Sequence, residues 1–200
     1  MATPLPRQLG LFADEPLELD TDLGPVRHIE LGDGAWLDYQ QRFLHGHHGL
    51  FEQLLRDVRF HAESRQMYER HVAVPRVTAQ LPDDGPLPPI LLAVQALLSR
   101  RYAEPLSRVS LAYYRDGRDS VAWHGDYVSR ERDQALVCSV SLGAPRKFLL
   151  RKRGGGPSRS LQLGWGDLLV MGGTCQRCFE HAVPKVAVAQ PRLAILYRSA

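Results

Sequence analysis

The chain has 200 residues, a mass of 22.5 kDa and a formal net charge of +3, which fit one domain that could meet a polyanionic partner. It contains no run of 18 apolar residues, which excludes a membrane-spanning helix, and its N-terminus lacks the features of a secretory signal. Three cysteines, an odd number, argue against a disulfide framework, so we expect a cytoplasmic protein without a membrane partner.

The first 35 residues show little hydrophobic periodicity. Prolines, acidic residues and glycines dominate this segment, which is typical of an arm or a loosely attached strand. We therefore predict an N-terminal arm over residues 1–35 and one folded domain over residues 36–200.

Two helices are predicted in the first half of this domain. Apolar residues recur at three-, four- and seven-residue intervals up to Val58, which indicates an amphipathic helix from about Leu37 to Asp57 that glycines near Gly46 could interrupt. The residues that follow, 60–81, have the pattern of loop and short strand. A second helix is predicted from Pro89, a favourable first helical position, to about Arg101.

From Ser107 onward, short runs with strand-like alternation replace the helical pattern. Examples are "ALVCSVSLG" and "RLAILYR", and turns such as "GGGPS" and "GWGD" separate many of the runs. This spacing predicts a mainly β fold with flanking helices, built as a barrel or a double-sheet roll. The domain then divides into helical support over residues 36–106 and a β-roll over residues 107–200.

Three residues of the β-rich half have the chemistry of an iron site. His124 and Asp126 form H-x-D, and because side chains alternate along a strand, both can face one ion. His181 follows 55 positions after Asp126, and two imidazoles with one carboxylate form the facial triad that binds Fe(II). Arg192 and Arg198 offer guanidinium groups that can bind the carboxylate of a keto acid. The alternative is a set of ordinary polar residues, but their order and spacing together favour the iron site.

Two other groups of potential ligands are less convincing. The run His45, His47 and His48 would splay around a helix axis, so a solvated polar segment is favoured over a metal site. Cys175 and Cys178 form C-x-x-C, but zinc prefers four ligands and the sequence has no second such pair. A metal or redox role for this pair is therefore disfavoured, and the third cysteine, Cys138, is predicted to lie in the core.

From about residue 37 to residue 198 the sequence resembles the AlkB family of Fe(II)/2-oxoglutarate dioxygenases. The resemblance rests on "YYRDGRDSVAWHGD", "SVSLGAPRKFLLR", "GDLLVMGG", the H-x-V-P that begins at His181, and "VPRVTA", which is similar to the approach to the family's nucleotide-recognition lid. It implies a double-stranded β-helix, a variant of the jelly roll, with the lid region inside residues 36–106. It also implies Fe(II) and 2-oxoglutarate as cofactors and the oxidative removal of alkyl groups from nucleobases.

The resemblance gives roles to individual residues. It makes His124, Asp126 and His181 the iron ligands. It makes Arg192, assisted by Tyr114, the partner of the distal carboxylate of 2-oxoglutarate, with Arg198 as a second, inner arginine.

Three positions depart from the family pattern. Ala112 stands where the family often has an Asn that reaches the cofactor. Gln80 stands where repair enzymes tend to have an aromatic residue, and Val128 where they often have an acidic residue facing the base. The first departure concerns the mode of cofactor binding, and the other two concern the choice of substrate.

Basic residues predict where a methylated nucleic acid, single-stranded or with a flipped base, would bind. The candidates are Arg76 near the lid and a basic stretch that ends in a glycine-rich turn, with Arg146, Lys147, Arg151, Lys152, Arg153 and Arg159. The alternative is that this stretch is an ordinary solvated hairpin. Trp123, which precedes the first iron ligand, should point away from the iron and pack in the core or on the sheet rather than stack on a base.

Gln8, Leu9, Leu11 and Phe12 form Q-L-x-L-F, which resembles the pentapeptide that bacterial repair and replication proteins use to bind the sliding clamp. The favoured alternative is that Leu11 and Phe12 cover the domain's own surface. For the whole protein we expect a monomeric nucleobase demethylase. The alternatives are a 2-oxoglutarate-dependent hydroxylase or demethylase of a protein or small molecule, and a non-catalytic nucleic-acid-binding module.

Overall fold

The computed structural model describes residues 15–22, 26–67, 70–126 and 134–199 of the chain, without the side chains of residues 63–67 and 70–73. The clamp-like segment from Gln8 to Phe12 and the substrate position Val128 lie outside these ranges. The predictions made for them therefore stay predictions. None of the described helices is both long and apolar enough to cross a membrane.

The described residues form fourteen strands and three helices. In chain order these are β1 (Glu18–Leu19), β2 (Arg27–Gly32), β3 (Ala35–Gln40), β4 (Leu44–His45), α1 (His47–Asp57), β5 (His61–Met67), β6 (Arg70–Leu81), α2 (Pro89–Tyr102), β7 (Arg108–Tyr114), β8 (Val121–His124), β9 (Val137–Gly143), β10 (Arg146–Lys152), β11 (Arg159–Leu163), β12 (Asp167–Gly173), α3 (Cys175–Cys178), β13 (Phe179–Val183) and β14 (Arg192–Arg198).

Two antiparallel sheets make the body of the protein. The large sheet has eight strands in the order β2-β3-β12-β9-β14-β7-β6-β5, and the small sheet has four in the order β11-β10-β13-β8. One hydrophobic cluster joins residues of both sheets, including Tyr114 and Ala194 from the large sheet and Phe148 and Phe179 from the small one. This arrangement confirms the predicted mainly β fold, the double-stranded β-helix.

Helices α1 and α2 cover the other face of the large sheet. Leu54 of α1 and Leu98 of α2 share a second hydrophobic cluster with Leu193, Ile195 and Tyr197 of β14. The even-numbered residues of β14 point the opposite way because strand side chains alternate, and Ala194 belongs to the cluster between the sheets. Strand β14 therefore separates an apolar helical side from the side that faces the small sheet.

The predicted helix from Leu37 to Asp57 is wrong in its first part. Residues 35–40 form β3, which pairs with β2 and β12, and only residues 47–57 are helical. Gly46 precedes the helix at φ 59°, and a Cβ there would lie 2.2 Å from the carbonyl oxygen of Pro16. The glycine suggested as an interruption therefore precedes the helix, which begins at His47. Glycine is needed at position 46 because a side chain would not fit there. The second helix agrees with its prediction, with Pro89 in the first turn.

Residues 61–67 and 70–81 form more regular structure than expected. The predicted loop and short strand are instead the long hairpin β5–β6, which extends the large sheet at one edge. At the opposite edge β2 pairs with β3. The hairpin β2–β3 spans residue 35, the boundary predicted between arm and domain, so residues 27–32 belong to the large sheet.

Candidate active site

The three predicted iron ligands come together where β8 meets β13. His124 ends β8, and His181 lies directly opposite it on β13, with the two ring centroids 4.3 Å apart. Asp126 follows two residues after β8, and its Oδ2 lies 3.6 Å from Nε2 of His181. One nitrogen or oxygen from each of the three side chains lies within 4.8 Å of the others. In the described parts of the chain, no other group of three His, Cys, Asp or Glu side chains is arranged to hold an ion.

Hydrogen bonds orient the first histidine. Nδ1 of His124 lies 2.8 Å from the carbonyl oxygen of Ala122 and 3.1 Å from that of His181. A carbonyl only accepts, so Nδ1 carries the proton and Nε2 keeps its lone pair. The exposed ring nitrogen of His124 is thereby in the form that binds a metal.

Asp126 is held on both sides. Its Oδ1 accepts a hydrogen bond of 2.6 Å from Nη2 of Arg198, whose Nη1 donates to Ser110. Its backbone N–H donates to Oε1 of Gln176 over 2.8 Å, and Gln176 is 1% exposed. With Oδ1 taken by Arg198, Oδ2 remains to bind an ion on the side of His181.

Gly125, between His124 and Asp126, lets this segment approach the backbone of α3 closely. A Cβ on Gly125 would lie 2.6 Å from the carbonyl oxygen of Gln176 and 2.7 Å from Nη2 of Arg153. Arg153 donates hydrogen bonds to the carbonyl oxygens of Arg177 and Gln176, at 2.9 and 3.1 Å. Any larger residue at position 125 would push the ligand segment away from the short helix α3.

The electrostatics of the cluster favour metal binding at neutral pH. Burial opposes the ionisation of Asp126, but the charges of Arg198, His181 and His124 outweigh it and lower the pKa of this carboxyl to about 2. Burial also lowers the pKa of His181 to about 4. An ionised carboxylate and a neutral imidazole are the forms that bind a metal cation.

A second group of predicted residues lies on the same side of the large sheet. Arg192, 2% exposed, donates from Nη2 to Ser141 over 2.7 Å and from Nε to the carbonyl oxygen of Leu163 over 3.2 Å. Its guanidinium carbon lies 5.3 Å from the ring centroid of Tyr114, which β7 places directly opposite it. A buried guanidinium beside a phenol hydroxyl has the chemistry that suits a carboxylate.

A family model described as "2OG-Fe(II) oxygenase superfamily" matches residues 53–198. This range contains the histidines, the aspartate and both arginines of the site. The chain belongs to the 2OG-Fe(II) oxygenase superfamily.

The chain has relatives by sequence among AlkB proteins. It is 28% identical to alkB homolog 3 of Mus musculus over 56% of its own length and 42% of the relative's. It is 27% identical to DNA oxidative demethylase ALKBH2 of Arabidopsis thaliana over 85% of its own length and 68% of the relative's. The resemblance to the AlkB family is thereby confirmed, although the chain spans less than half of the length of the mouse protein.

Solved structures agree on the fold. The structure of OsALKBH1 superposes with a TM-score of 0.59 at 17% identity, covering 87% of this chain and all of that one. A prolyl hydroxylase from Trichoplax adhaerens, solved with a peptide of hypoxia inducible factor, gives 0.58 at 14% identity, covering 82% of this chain and 83% of that one. At such identities these likenesses show only that the chain shares the architecture of oxygenases.

The donor set of the site fits the cofactors of the superfamily, Fe(II) and 2-oxoglutarate. Atoms that share an ion at about 2 Å lie roughly 3 to 4 Å apart, so ligand atoms within 4.8 Å need only a small inward shift. His124, Asp126 and His181 would hold the iron and leave three positions open. Arg192 and Tyr114 would bind the distal carboxylate of the keto acid.

Most of the basic residues predicted to contact a nucleic acid already interact with other residues of the protein. Arg151 binds Glu180 at 2.6 Å and stacks 3.9 Å above the ring of Trp123, while Lys152 binds Asp33 at 2.8 Å. Arg153 holds α3, and Lys147 is exposed.

Two basic residues predicted to face a nucleic acid are less exposed than expected. Arg146 is 3% exposed and donates to the carbonyl oxygens of Asp116, Asp119 and Pro184, so its place on a basic surface is corrected. Arg76 is half-buried and donates to the hydroxyl of Tyr114.

Other predictions have mixed outcomes. Trp123 packs on the sheet under Arg151, as expected for a residue that points away from the iron, but it is half-buried rather than in the core. His47 is buried, so the predicted solvated segment is wrong at this position. Cys138 is fully buried as predicted, and Cys175 and Cys178 are free thiols on α3.

Gln176 is the residue that sequence reasoning missed. It lies inside the C-x-x-C motif, and its side chain fixes the backbone of Asp126 while its Nε2 contacts the sulfur of Met171 at 3.5 Å. Within this motif, the glutamine between the cysteines is therefore the residue that contacts the iron-ligand segment. No signal in the sequence pairs this residue with a backbone group 50 positions earlier.

Proposed function

We propose that this protein removes alkyl groups oxidatively from nucleobases of DNA or RNA, using Fe(II), 2-oxoglutarate and O₂. The observation that carries the proposal is the cluster of His124, Asp126 and His181 on the same side of the large sheet as Arg192 and Tyr114. The names of the relatives, DNA oxidative demethylase and alkB homolog, support a nucleic-acid substrate.

The cofactors would supply the oxidation of the alkyl carbon, which then leaves the base as an aldehyde. The protein's share is binding, orientation and the exclusion of water. Arg198 holds one oxygen of Asp126, so the carboxylate offers the iron a single oxygen and leaves room for other ligands. Nδ1 of His124 keeps its proton on backbone carbonyls, which presents Nε2 to the metal.

The substrate base must reach the iron from outside a duplex. The three ligands lie where the small sheet ends at β8, an edge strand, and the ring of His124 is only half-buried. A base inside a double helix cannot approach such a site, so we expect a single-stranded substrate or a flipped nucleotide. Lys147 is the exposed cation on β10 that would contact a phosphate.

A second candidate is a hydroxylase or demethylase of a protein or small molecule. The specific observation in its favour is that Arg151, Lys152 and Arg153 already have protein partners. The exposed Gln80, in the place of an aromatic residue of the repair enzymes, points the same way. Neither observation removes the site itself, so both candidates share the same iron and keto-acid chemistry.

The test is succinate release from 2-oxoglutarate by the iron-loaded protein, with methylated and matched unmethylated oligonucleotides, single-stranded and double-stranded. We expect release to rise with methylated oligonucleotides alone, and mass spectrometry to detect the unmethylated base. Release that does not depend on methylation would favour the protein or small-molecule substrate. No release under any condition would favour a non-catalytic binding module.

A further inference from the structure

Arg76 is a third arginine near the keto-acid site of the proposed function, and it is not among the residues that the family resemblance assigns to the cofactor. It lies on β6, beside β7, two positions before Thr78, which pairs with Ala112. Its Nη1 donates a hydrogen bond of 3.1 Å to the hydroxyl of Tyr114. Its Nε is buried and has no hydrogen-bond partner.

The surroundings of Tyr114 carry an excess of positive charge. The guanidinium carbons of Arg192 and Arg146 lie 5.3 and 5.8 Å from its ring centroid, and Arg76 meets its hydroxyl. Arg146 is occupied by three backbone carbonyls. Neither Arg76 nor Arg192 forms an ion pair with a carboxylate of the described residues, and a buried cation without an anion is costly.

The position of Arg76 follows from its contact with Tyr114. Its Nη1 lies 3.1 Å from the hydroxyl of Tyr114, and the guanidinium carbon of Arg192 lies 5.3 Å from the ring centroid of the same tyrosine. Burial lowers the pKa of Arg192, and the charges of Arg146 and Arg76 add to this lowering. Arg76 therefore lies where the distal carboxylate of a bound keto acid would be.

We propose that Arg76 binds the distal carboxylate of 2-oxoglutarate together with Arg192 and Tyr114. This inference rests on the keto-acid site of the proposed function. A carboxylate accepts several hydrogen bonds, and the free Nε of Arg76 would gain a partner beside the phenol hydroxyl that Nη1 already contacts.

The proposal also accounts for Ala112. The small, buried side chain of Ala112 cannot reach a cofactor, although the family often has an Asn at this position. Arg76 comes from the neighbouring strand and supplies a polar contact on the same side of the sheet. The loss of one cofactor contact on β7 is thus offset by a gain on β6.

Titration calorimetry of 2-oxoglutarate binding to the Mn(II)-loaded protein without O₂ tests the proposal. Arg76→Gln should weaken binding by roughly 10-fold or more, the usual effect of a lost hydrogen bond to a charged group. The decisive comparison uses 2-oxopentanoate, which has the same carbon chain without the distal carboxylate. Its affinity should be the same for the wild type and Arg76→Gln.

Arg192→Gln provides the reference loss, and Arg56→Gln, at an exposed arginine of α1, is the matched control that should leave the affinity for 2-oxoglutarate unchanged. If thermal denaturation shows that Arg76→Gln does not fold, Arg76→Lys replaces it. The loss of affinity should then be smaller because lysine keeps the positive charge, but it should remain measurable because lysine cannot reproduce the planar guanidinium.

Wild-type affinity in the variant, or equal losses for both keto acids, would overturn the role of Arg76. Loss of oligonucleotide affinity alone would assign it to phosphate. A wild-type protein that binds no 2-oxoglutarate would instead contradict the proposed function, and with it this inference.

Discussion

The two faces of the large sheet differ in what they bury. On the helical face, the cluster around Leu54, Leu98 and Ile195 is apolar. On the face toward the small sheet, the apolar cluster adjoins buried charged residues such as Asp126 and Arg192. The comparison indicates that the two faces of one sheet have different roles. The helical face contributes stability, whereas the inner face has charged side chains for binding and chemistry in place of some apolar contacts.

The energetic consequence follows from the cost of burying charge. A buried leucine contributes about 1.5 to 3 kcal/mol through the hydrophobic effect, whereas an uncompensated buried cation is unfavourable. Arg198 is compensated by Asp126, but Arg192 is held by Ser141 and a backbone carbonyl. A dianionic keto acid would therefore stabilise the folded protein through contacts on the inner face.

The largest effect should come from the iron ligands. His181→Ala or Asp126→Ala should reduce turnover by more than roughly 100-fold, because even outer-shell changes cost 10 to 100-fold. Thermal unfolding of the metal-free His181→Ala protein should change little, whereas Asp126→Ala also removes the partner of Arg198 and should lower stability. His28→Ala, at an exposed histidine on β2, should keep full activity. Succinate release at the wild-type rate with limiting iron would remove these residues from the site.

A change on the helical face should do the opposite. Leu98→Ala should destabilise the protein by about 2 to 5 kcal/mol through a cavity, while the folded fraction binds 2-oxoglutarate normally. Leu92→Ala on the same helix is the control, since Leu92 is 47% exposed and should change stability by less than about 0.5 kcal/mol. Urea unfolding measures both, and a weakened keto-acid affinity in Leu98→Ala would show that the two faces are coupled.

The acid sensitivity of the helical face should come in part from His47, the first residue of α1. Burial and the neighbouring His48 lower its pKa to about 4, and its Nδ1 has no hydrogen-bond partner in the described structure. The unfolded state therefore binds a proton more readily than the folded state between about pH 6.5 and 4, so stability is present above this window and is lost as pH falls through it.

Between pH 7.5 and 5.0 this histidine should account for about 2 kcal/mol of lost stability. His47→Phe should lack that loss in urea unfolding, whereas His48→Gln, which changes the half-buried neighbour, should retain most of it. An unchanged pH slope in His47→Phe would assign the acid sensitivity to other groups.

The smallest effect concerns the support of the iron site. Gln176→Leu removes the acceptor for the backbone N–H of Asp126 and should weaken Mn(II) binding by roughly 10-fold, in the range of outer-shell changes. Arg177→Ala, at the exposed neighbouring position, is the control. A Gln176→Leu protein that folds and binds Mn(II) like the wild type would reduce Gln176 to a packing residue.

The sequence predicted those parts of the site that follow from local spacing. His124 and Asp126 are two positions apart, and the strand period alone brings both toward one ion. Gln176 could not be predicted, because its partner is a backbone N–H that carries no residue identity. Arg146 was misjudged for a related reason: counting charge does not show that three backbone carbonyls bind it inside the protein.

The fold was predictable where the pattern had one interpretation. The alternation of β14 and the proline-started helix α2 gave their elements correctly. Residues 37–46 failed because apolar residues at Leu37, Phe43 and Leu44 fit a helical period as well as a strand followed by a turn. The pairing of β3 with β2 and β12 decides between them, and that partner choice is a property of the whole sheet.

Strand β14 gives the protein an unusual intolerance of insertions. Its odd positions serve the helices and its even positions serve the active site, so a one-residue slip would exchange the two sets. Leu193 and Tyr197 would then occupy the space of the keto acid, and the charges of Arg192 and Arg198 would face the leucines of the helices. An insertion or deletion of one residue here should therefore not be tolerated, because the two alternating sets of side chains on β14 serve stability and chemistry separately. Only a change of two residues would keep each set on its own face.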